Sequence, residues 1–180
     1  MTFEFHLSEE DYLTQLLFNA NHSRLIKRRR LTTWLFCIGA FLLMALVFYS
    51  NDNYPLTISY TVCAVLCAIL YPFYQRWIYK RSYRKYLKES LKSKRDNLIR
   101  VEFKSDQIEL QDYSGDATIK ISAIDQIYET GQYFFIRFDG SATLILPKAH
   151  FDNTEFKGVI EQIIESYKTP FEQDLNWRWK

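Results

Sequence analysis

Lysine and arginine cluster at three places in this 180-residue sequence, the last two mixed with aromatic residues, while the first serves as a topology signal; phosphate neutralisation is the chemistry that the second, a basic and aromatic segment, offers. Lys27-Arg28-Arg29-Arg30 is the first place. Arg76, Lys80, Arg81, Arg84, Lys85 and Lys88, interleaved with Trp77, Tyr79, Tyr83 and Tyr86, make the second. Trp177-Arg178-Trp179-Lys180 is the third. Cations neutralise phosphate, and aromatic rings either stack on bases or rest at a membrane interface. A lipid leaflet accounts for the second cluster more economically than nucleic acid does. Its cations begin where a long apolar run ends, and each is worth about 1 kcal/mol near an anionic surface. Arg76, Lys80, Arg81, Arg84, Lys85 and Lys88 are therefore candidate membrane-surface residues, or plain topology signals, and no nucleic-acid partner is expected. Trp77, Trp177 and Trp179 are candidate interface or partner contacts.

Groups that do covalent or metal chemistry are scattered. His6, His22 and His150 have no metal-ligand spacing. Cys37, Cys63 and Cys67 all lie inside apolar runs, without a CxxC motif, and read as small buried hydrophobes. No serine sits in a nucleophile elbow, and five glycines form no phosphate-cradling loop. Glu9, Glu10 and Asp11 read as helix-start carboxylates that complement the macrodipole. The expectation is a protein that is not an enzyme, with no catalytic, cofactor-binding or metal residue.

The elements that must position the cations are two apolar runs, 31–49 and 56–74, each of 19 residues without Asp, Glu, Lys or Arg. As helices they reach roughly 28 Å, close to the roughly 30 Å hydrocarbon core of a bilayer. The first starts too late and is too long for a signal peptide, so it is expected to remain in the mature protein. Basic residues flank both outer ends, while the six-residue loop Ser50-Asn51-Asp52-Asn53-Tyr54-Pro55 has no Lys or Arg. By the positive-inside rule the loop faces out and both termini face the cytoplasm. Ala64 and Ala68 offer a small face that Gly39 or Ala40 could approach. Neither run holds an ionisable Asp, Glu, Lys, Arg or His, which argues against an ion path.

Beyond the runs the charge changes sign. Residues 75–100 carry ten Lys/Arg against two acids, and 101–180 carry eight against fourteen. Residues 75–97 read as a helix without Gly or Pro. From Leu98 the apolar period becomes two, which predicts strands at 98–104, 107–111, 117–121, 124–130, 132–138 and 142–146. Asp139-Gly140 predicts a two-residue hairpin pairing Arg137 with Ala142, Phe135 with Leu144, Ile136 with Thr143 and Phe134 with Ile145. Asp152-Asn153-Thr154-Glu155 outlines a capping box before a stripe of Phe156, Val159, Ile160, Ile163, Ile164 and Tyr167, and Pro170 ends that helix. Residues 2–7 alternate Phe3, Phe5 and Leu7 and are expected as a seventh strand of the same sheet, followed by a helix capped by Ser8 and running to about Asn21. The fold class is α+β: a two-helix transmembrane hairpin with a small antiparallel sheet or barrel capped by a C-terminal helix. The expected divisions are 1–26, 27–74, 75–97, 98–170 and a tail at 171–180.

This arrangement resembles the YcxB-like family of bacterial membrane proteins. The resemblance is carried by S-E-E-D-Y at 8–12, I-K-I-S-A-I-D-Q-I-Y-E-T-G-Q-Y-F-F-I at 119–136 and L-I-L-P-K-A-H-F at 144–151. It implies a C-terminal domain similar to pleckstrin-homology-like folds and brings no catalytic residue. The reading is a multi-pass inner (plasma) membrane protein, both termini cytoplasmic, whose domain is a non-enzymatic interaction or scaffold module. A protein partner or a second copy is expected beside the anionic leaflet. The alternative is an accessory subunit of an envelope lipid-metabolism or transport complex.

Overall fold

Helices and strands follow the apolar periods closely in the computed structural model, which describes all residues except 1, 92–97, 105, 113–114, 140–141, 151–152 and 180. The order is β1 (Thr2–His6), α1 (Glu9–His22), α2 (Arg24–Ser50), α3 (Tyr54–Leu91), β2 (Leu98–Phe103), β3 (Gln107–Asp112) and β4 (Gly115–Lys120). β5 (Ile124–Thr130), β6 (Tyr133–Phe138), β7 (Thr143–Pro147), α4 (Asn153–Tyr167) and β8 (Phe171–Asp174) complete it. The chain forms two compact units, Met1–Leu16 with Tyr86–Arg178, and Leu17–Lys85 with Trp179.

Among the described residues of the first unit, eight strands make two four-stranded sheets, ordered β1-β2-β3-β4 and β7-β6-β5-β8. This corrects the single seven-stranded sheet expected from the sequence. The N-terminal strand does join the domain: β1 pairs antiparallel with β2, with Phe3 opposite Val101 and Phe5 opposite Ile99. Its burial alternates as the sequence does, because Phe3 and Phe5 need an apolar face while Glu4 and His6 face out. The turn that follows is a capping box with Asp at its third position. Ser8 Oγ accepts from Asp11 N–H at 3.2 Å, and Asp11 Oδ2 accepts from Ser8 N–H at 2.8 Å.

The β6–β7 register differs from the expected one by a single residue. Phe134 faces Leu146, Phe135 faces Ile145, Ile136 faces Leu144 and Arg137 faces Thr143. The slip collects Phe134, Ile136, Leu144 and Leu146 on one face, where the expected pairing would have set Thr143 opposite Ile136. All four are buried, so the face that hides more apolar surface wins. The expected Asp139-Gly140 turn falls partly on Gly140, outside the described residues, as does Asp152 of the expected capping box.

α4 supplies the stripe that joins both sheets. The Phe156 ring lies 5.5 Å from Phe3 and 5.7 Å from Phe103 in one sheet, and 4.9 Å from Phe134 in the other. Ile160 and Ile163 are buried behind it. The helix ends at Tyr167 with Lys168 in the left-handed region, φ 52°, before Thr169 and Pro170. Residues 171–174, expected within a tail, form β8 parallel to β5, with Ile127 opposite Phe171 and Thr130 opposite Asp174. The chain then passes so close to the β5–β6 turn that a Cβ at Gly131 would stand 2.8 Å from the Leu175 carbonyl oxygen. Only glycine leaves room there.

In the second unit, Ser23 caps α2 by accepting from Ile26 N–H at 3.4 Å. α2 and α3 are joined by a short turn in which Asp52 takes φ 55°. Phe48 and Tyr60 stack at 5.2 Å beside it. The expected close approach at Gly39 or Ala40 is not what these helices use. A Cβ at Gly39 would meet nothing within 4 Å, and the buried small residues are Ala45 and Ala64. Both helices are long and apolar enough to cross a membrane, and their Leu43, Leu46, Ile58, Ile69 and Phe73 are exposed.

The α4 stripe gives a quantitative test. Ile160→Asp or Ile163→Asp removes a buried aliphatic group and installs a charge, and each is expected to cost several kcal/mol in chemical denaturation of the full chain in detergent. Glu161→Ala on the exposed face should stay within about 0.5 kcal/mol of wild type.

Candidate functional site

α3 runs unbroken over Tyr54–Leu91, so the second apolar run and the basic segment after it are one helix. Trp77, Lys80, Arg81, Arg84, Lys85 and Lys88 fall at i, i+3, i+4, i+7, i+8 and i+11, a single stripe. Gln75, Tyr79, Tyr83 and Leu87, four residues apart on the other side, are buried or half-buried. Within the stripe the Arg81 guanidinium lies 5.0 Å above the Trp77 ring, and Trp77 itself is exposed. Arg76 lies off this face and rests on Phe73 at 5.6 Å. The expected extension of the helix through 92–97 lies outside the described residues.

The basic ends of α2 and α3 are tied by a lock that the sequence reading did not single out. Gln75 is 8% exposed. Its Nε2 donates to the Arg30 carbonyl at 3.1 Å, and its Oε1 accepts from Arg30 Nε at 3.4 Å. The Arg30 guanidinium lies over two aromatic rings that are themselves in contact at 6.3 Å, Trp179 at 5.1 Å and Tyr79 at 5.7 Å. Trp179 Nε1 donates in turn to the Arg76 carbonyl at 3.4 Å. Arg30 had counted only as a topology charge. The signal that could have marked it is Gln75, an uncharged polar residue placed where the apolar run ends.

Trp177 belongs to the other unit. Its ring packs on Phe135 at 6.5 Å and borders a cleft of about 360 Å³ with Thr14, Gly131, Tyr133 and Arg178. Tyr133 donates its hydroxyl to Asp11 Oδ1 at 2.8 Å. Burial, helped by that carboxylate, pushes the phenol up to about 12, so it stays a neutral donor at physiological pH.

Further along β5 lies the most buried charge of the described residues. Glu129 is 3% exposed, and its carboxylate accepts from Lys148 Nζ at 2.7 Å, from Gln173 Nε2 at 2.7 Å and from Lys157 Nζ at 3.2 Å. Lys148 Nζ also lies 4.6 Å above the Phe134 ring. Burial raises the carboxyl pKa, but the three hydrogen bonds and the Lys148 charge outweigh it and hold the group below the ordinary carboxylate range. Both carboxylate oxygens of this β5 residue are engaged, by β8, the turn after β7, and α4. The cluster therefore works as a clasp on the C-terminal segment. Among the described residues no group of three or more His, Cys, Asp or Glu could hold a metal ion.

Because the Glu129 pKa is lower folded than unfolded, its contribution is present above the unfolded value and is lost as the pH falls through the folded one. Stability should therefore drop below about pH 4, the ordinary glutamate range, and Glu129→Gln should flatten that part of the profile. Lys148→Met leaves a buried carboxylate short of its main partner and is expected to cost about 3 kcal/mol in urea titrations at pH 7. Lys157→Met removes a half-exposed partner and should cost about 1 kcal/mol or less.

Comparison with known proteins places the domain. No curated protein and no solved structure matches the chain. The family model described as YcxB-like protein matches residues 103–163, from the end of β2 through most of α4. That segment holds β3 to β7, Phe156, Ile160 and two of the three Glu129 clasp partners. Residues 103–163 are thus similar to the YcxB-like family, the family that the motifs at 119–136 and 144–151 resemble.

Proposed function

We propose that this protein is a two-span protein of the bacterial inner (plasma) membrane, with both termini cytoplasmic and a non-enzymatic interaction or scaffold domain held at the membrane surface. The observation that carries the reading is the α2–α3 hairpin. Its apolar windows are almost wholly unburied, whereas the core helix of a soluble protein would hide the same residues. Exposed apolar surface on that scale is unfavourable in water at roughly 25 cal/mol per Å², so it calls for a lipid or protein cover. Basic residues stand at both outer ends and none in the loop, a pattern that supports both termini facing the cytoplasm.

A pleckstrin-homology-like fold for the domain is supported by its order of elements. After α3, three antiparallel strands that pair with the N-terminal β1 are followed by three more in a second sheet, and then by a helix in ring contact with both. The interaction role is supported by β4, the outer strand of its sheet. Among the described residues it pairs only with β3, and five of its six residues are exposed. Such an edge can accept a partner strand through main-chain hydrogen bonds. The α3 stripe of Trp77, Lys80, Arg81, Arg84, Lys85 and Lys88 fits contact with an anionic leaflet.

Topology tests the reading. In a chain whose Cys37, Cys63 and Cys67 are replaced by serine, Asp52→Cys should react with an impermeant maleimide in intact cells. Cysteines placed at Thr2 and Lys180 should react only after the membrane is opened. Labelling of position 180 from outside would overturn the assignment.

A further inference from the structure

The basic ends of α2 and α3 border an open cavity of about 210 Å³ lined by Lys27, Arg30, Leu31 and Trp34 from one helix and Pro72 and Gln75 from the other. Lys27, Arg30, Leu31 and Trp34 fall at i, i+3, i+4 and i+7, so one face of α2 forms a whole wall. The chemistry of the lining is divided. Leu31, Pro72 and the indole body are apolar, and the proline ring keeps its part of the wall free of a backbone donor. Lys27 and Arg30 set two cations beside them. Gln75 and the rings of Tyr79 and Trp179 hold Arg30 in place, so its charge is fixed before any ligand arrives.

Trp34 adds the group that needs a ligand. Its Nε1 is buried and has no hydrogen-bond partner among the described residues. A buried donor left unsatisfied is costly, and an indole N–H can be satisfied only by an acceptor. An acceptor that also suits two cations is an anion, and the apolar remainder suits a molecule that is part hydrocarbon. Basic pockets between membrane helices on the cytoplasmic side are suited to anionic lipid headgroups.

We propose that this cavity is a binding site for the phosphate group of an anionic phospholipid, recognised by the Trp34 indole N–H together with Lys27 and Arg30. The inference rests on the reading of α2 and α3 as membrane spans, which brings the cavity to headgroup level. It differs from the contact made by the α3 stripe, which is exposed, needs no shaped pocket and uses none of these residues.

The test is lipid retention by the full chain in neutral detergent, read by native mass spectrometry. Phosphatidylglycerol and phosphatidylcholine are offered at equal concentration, and glycerol 3-phosphate and inorganic phosphate in separate arms. Wild-type protein should retain phosphatidylglycerol about tenfold more tightly than phosphatidylcholine. Trp34→Phe keeps the ring and removes only the donor, and should weaken phosphatidylglycerol binding about tenfold, as loss of a hydrogen bond to a charged group does. Lys27→Gln, on an exposed side chain, should weaken it as well, whereas Arg28→Gln, off this face, should not. Equal retention of the two lipids, or an unchanged affinity in both Trp34→Phe and Lys27→Gln, would overturn the proposal. Competition by either soluble phosphate at the concentration where the lipid binds would assign the site to free phosphate and overturn the lipid assignment. Alkaline extraction of membranes separates the two levels of the argument. A chain released by alkali defeats the membrane-span reading, while a chain that stays and shows no lipid preference defeats this site alone.

Discussion

Phe156 is in ring contact with both sheets, and the domain's geometry follows from that. One aromatic side chain touches Phe3 and Phe103 on one side and Phe134 on the other, all three buried or nearly so. Burying a phenylalanine is worth roughly 1.5–3 kcal/mol, so the helix that carries it is drawn between the sheets. Ile160 and Ile163 then reach the interior because they follow at helical spacing. The N-terminal strand is recruited by the same contact: Phe3 needs a partner surface, and Phe103 and Phe156 provide it. The first few residues of the chain thus complete a core whose other walls lie a hundred residues or more downstream.

Polar chemistry in this domain closes the structure at Glu129. Glu129 is ionised where water is scarce, which is tolerable only because two lysines and Gln173 complete its shell. Gln173 belongs to β8, so the clasp is also what makes a short, fully exposed strand lie beside β5. A second network does the same at the surface, where Gln126 Nε2 donates to Glu172 Oε2 at 3.2 Å and Arg137 Nε donates to Asp125 Oδ2 at 2.8 Å. The hairpin unit obeys a different rule. Its apolar residues are left exposed, and at its basic end Arg30, Gln75 and Trp179 hold the helices together. Close-packed small residues contribute only at Ala45 and Ala64.

What the sequence by itself determined is whatever depends on periodicity and local chemistry. The two long apolar helices, the switch to period two after Leu98, the Ser8 cap and the α4 stripe were all readable, because each is decided within a dozen residues. The pairing of β1 with the domain was readable as well, since Phe3, Phe5 and Leu7 demanded cover. The cationic stripe of α3 was visible as a composition, and its regular spacing followed once the helix proved continuous.

Tertiary structure decided everything that needed a distant partner. Nothing in 171–174 alternates, so β8 could not be seen until Glu129 and Gln126 supplied side chains for Gln173 and Glu172. The β6–β7 register could not be chosen from the turn alone, because both strands are apolar on both faces. Pairing Phe134 and Ile136 with Leu146 and Leu144, rather than with Ile145 and Thr143, broke that tie and moved the pairing by one residue. Strands of one period do not announce which sheet they join, so one sheet was expected where two formed. Arg30 shows the same limit at the candidate site. Its charge was legible, but the guanidinium is fixed only because Gln75, Tyr79 and Trp179, 45 or more residues away, hold it.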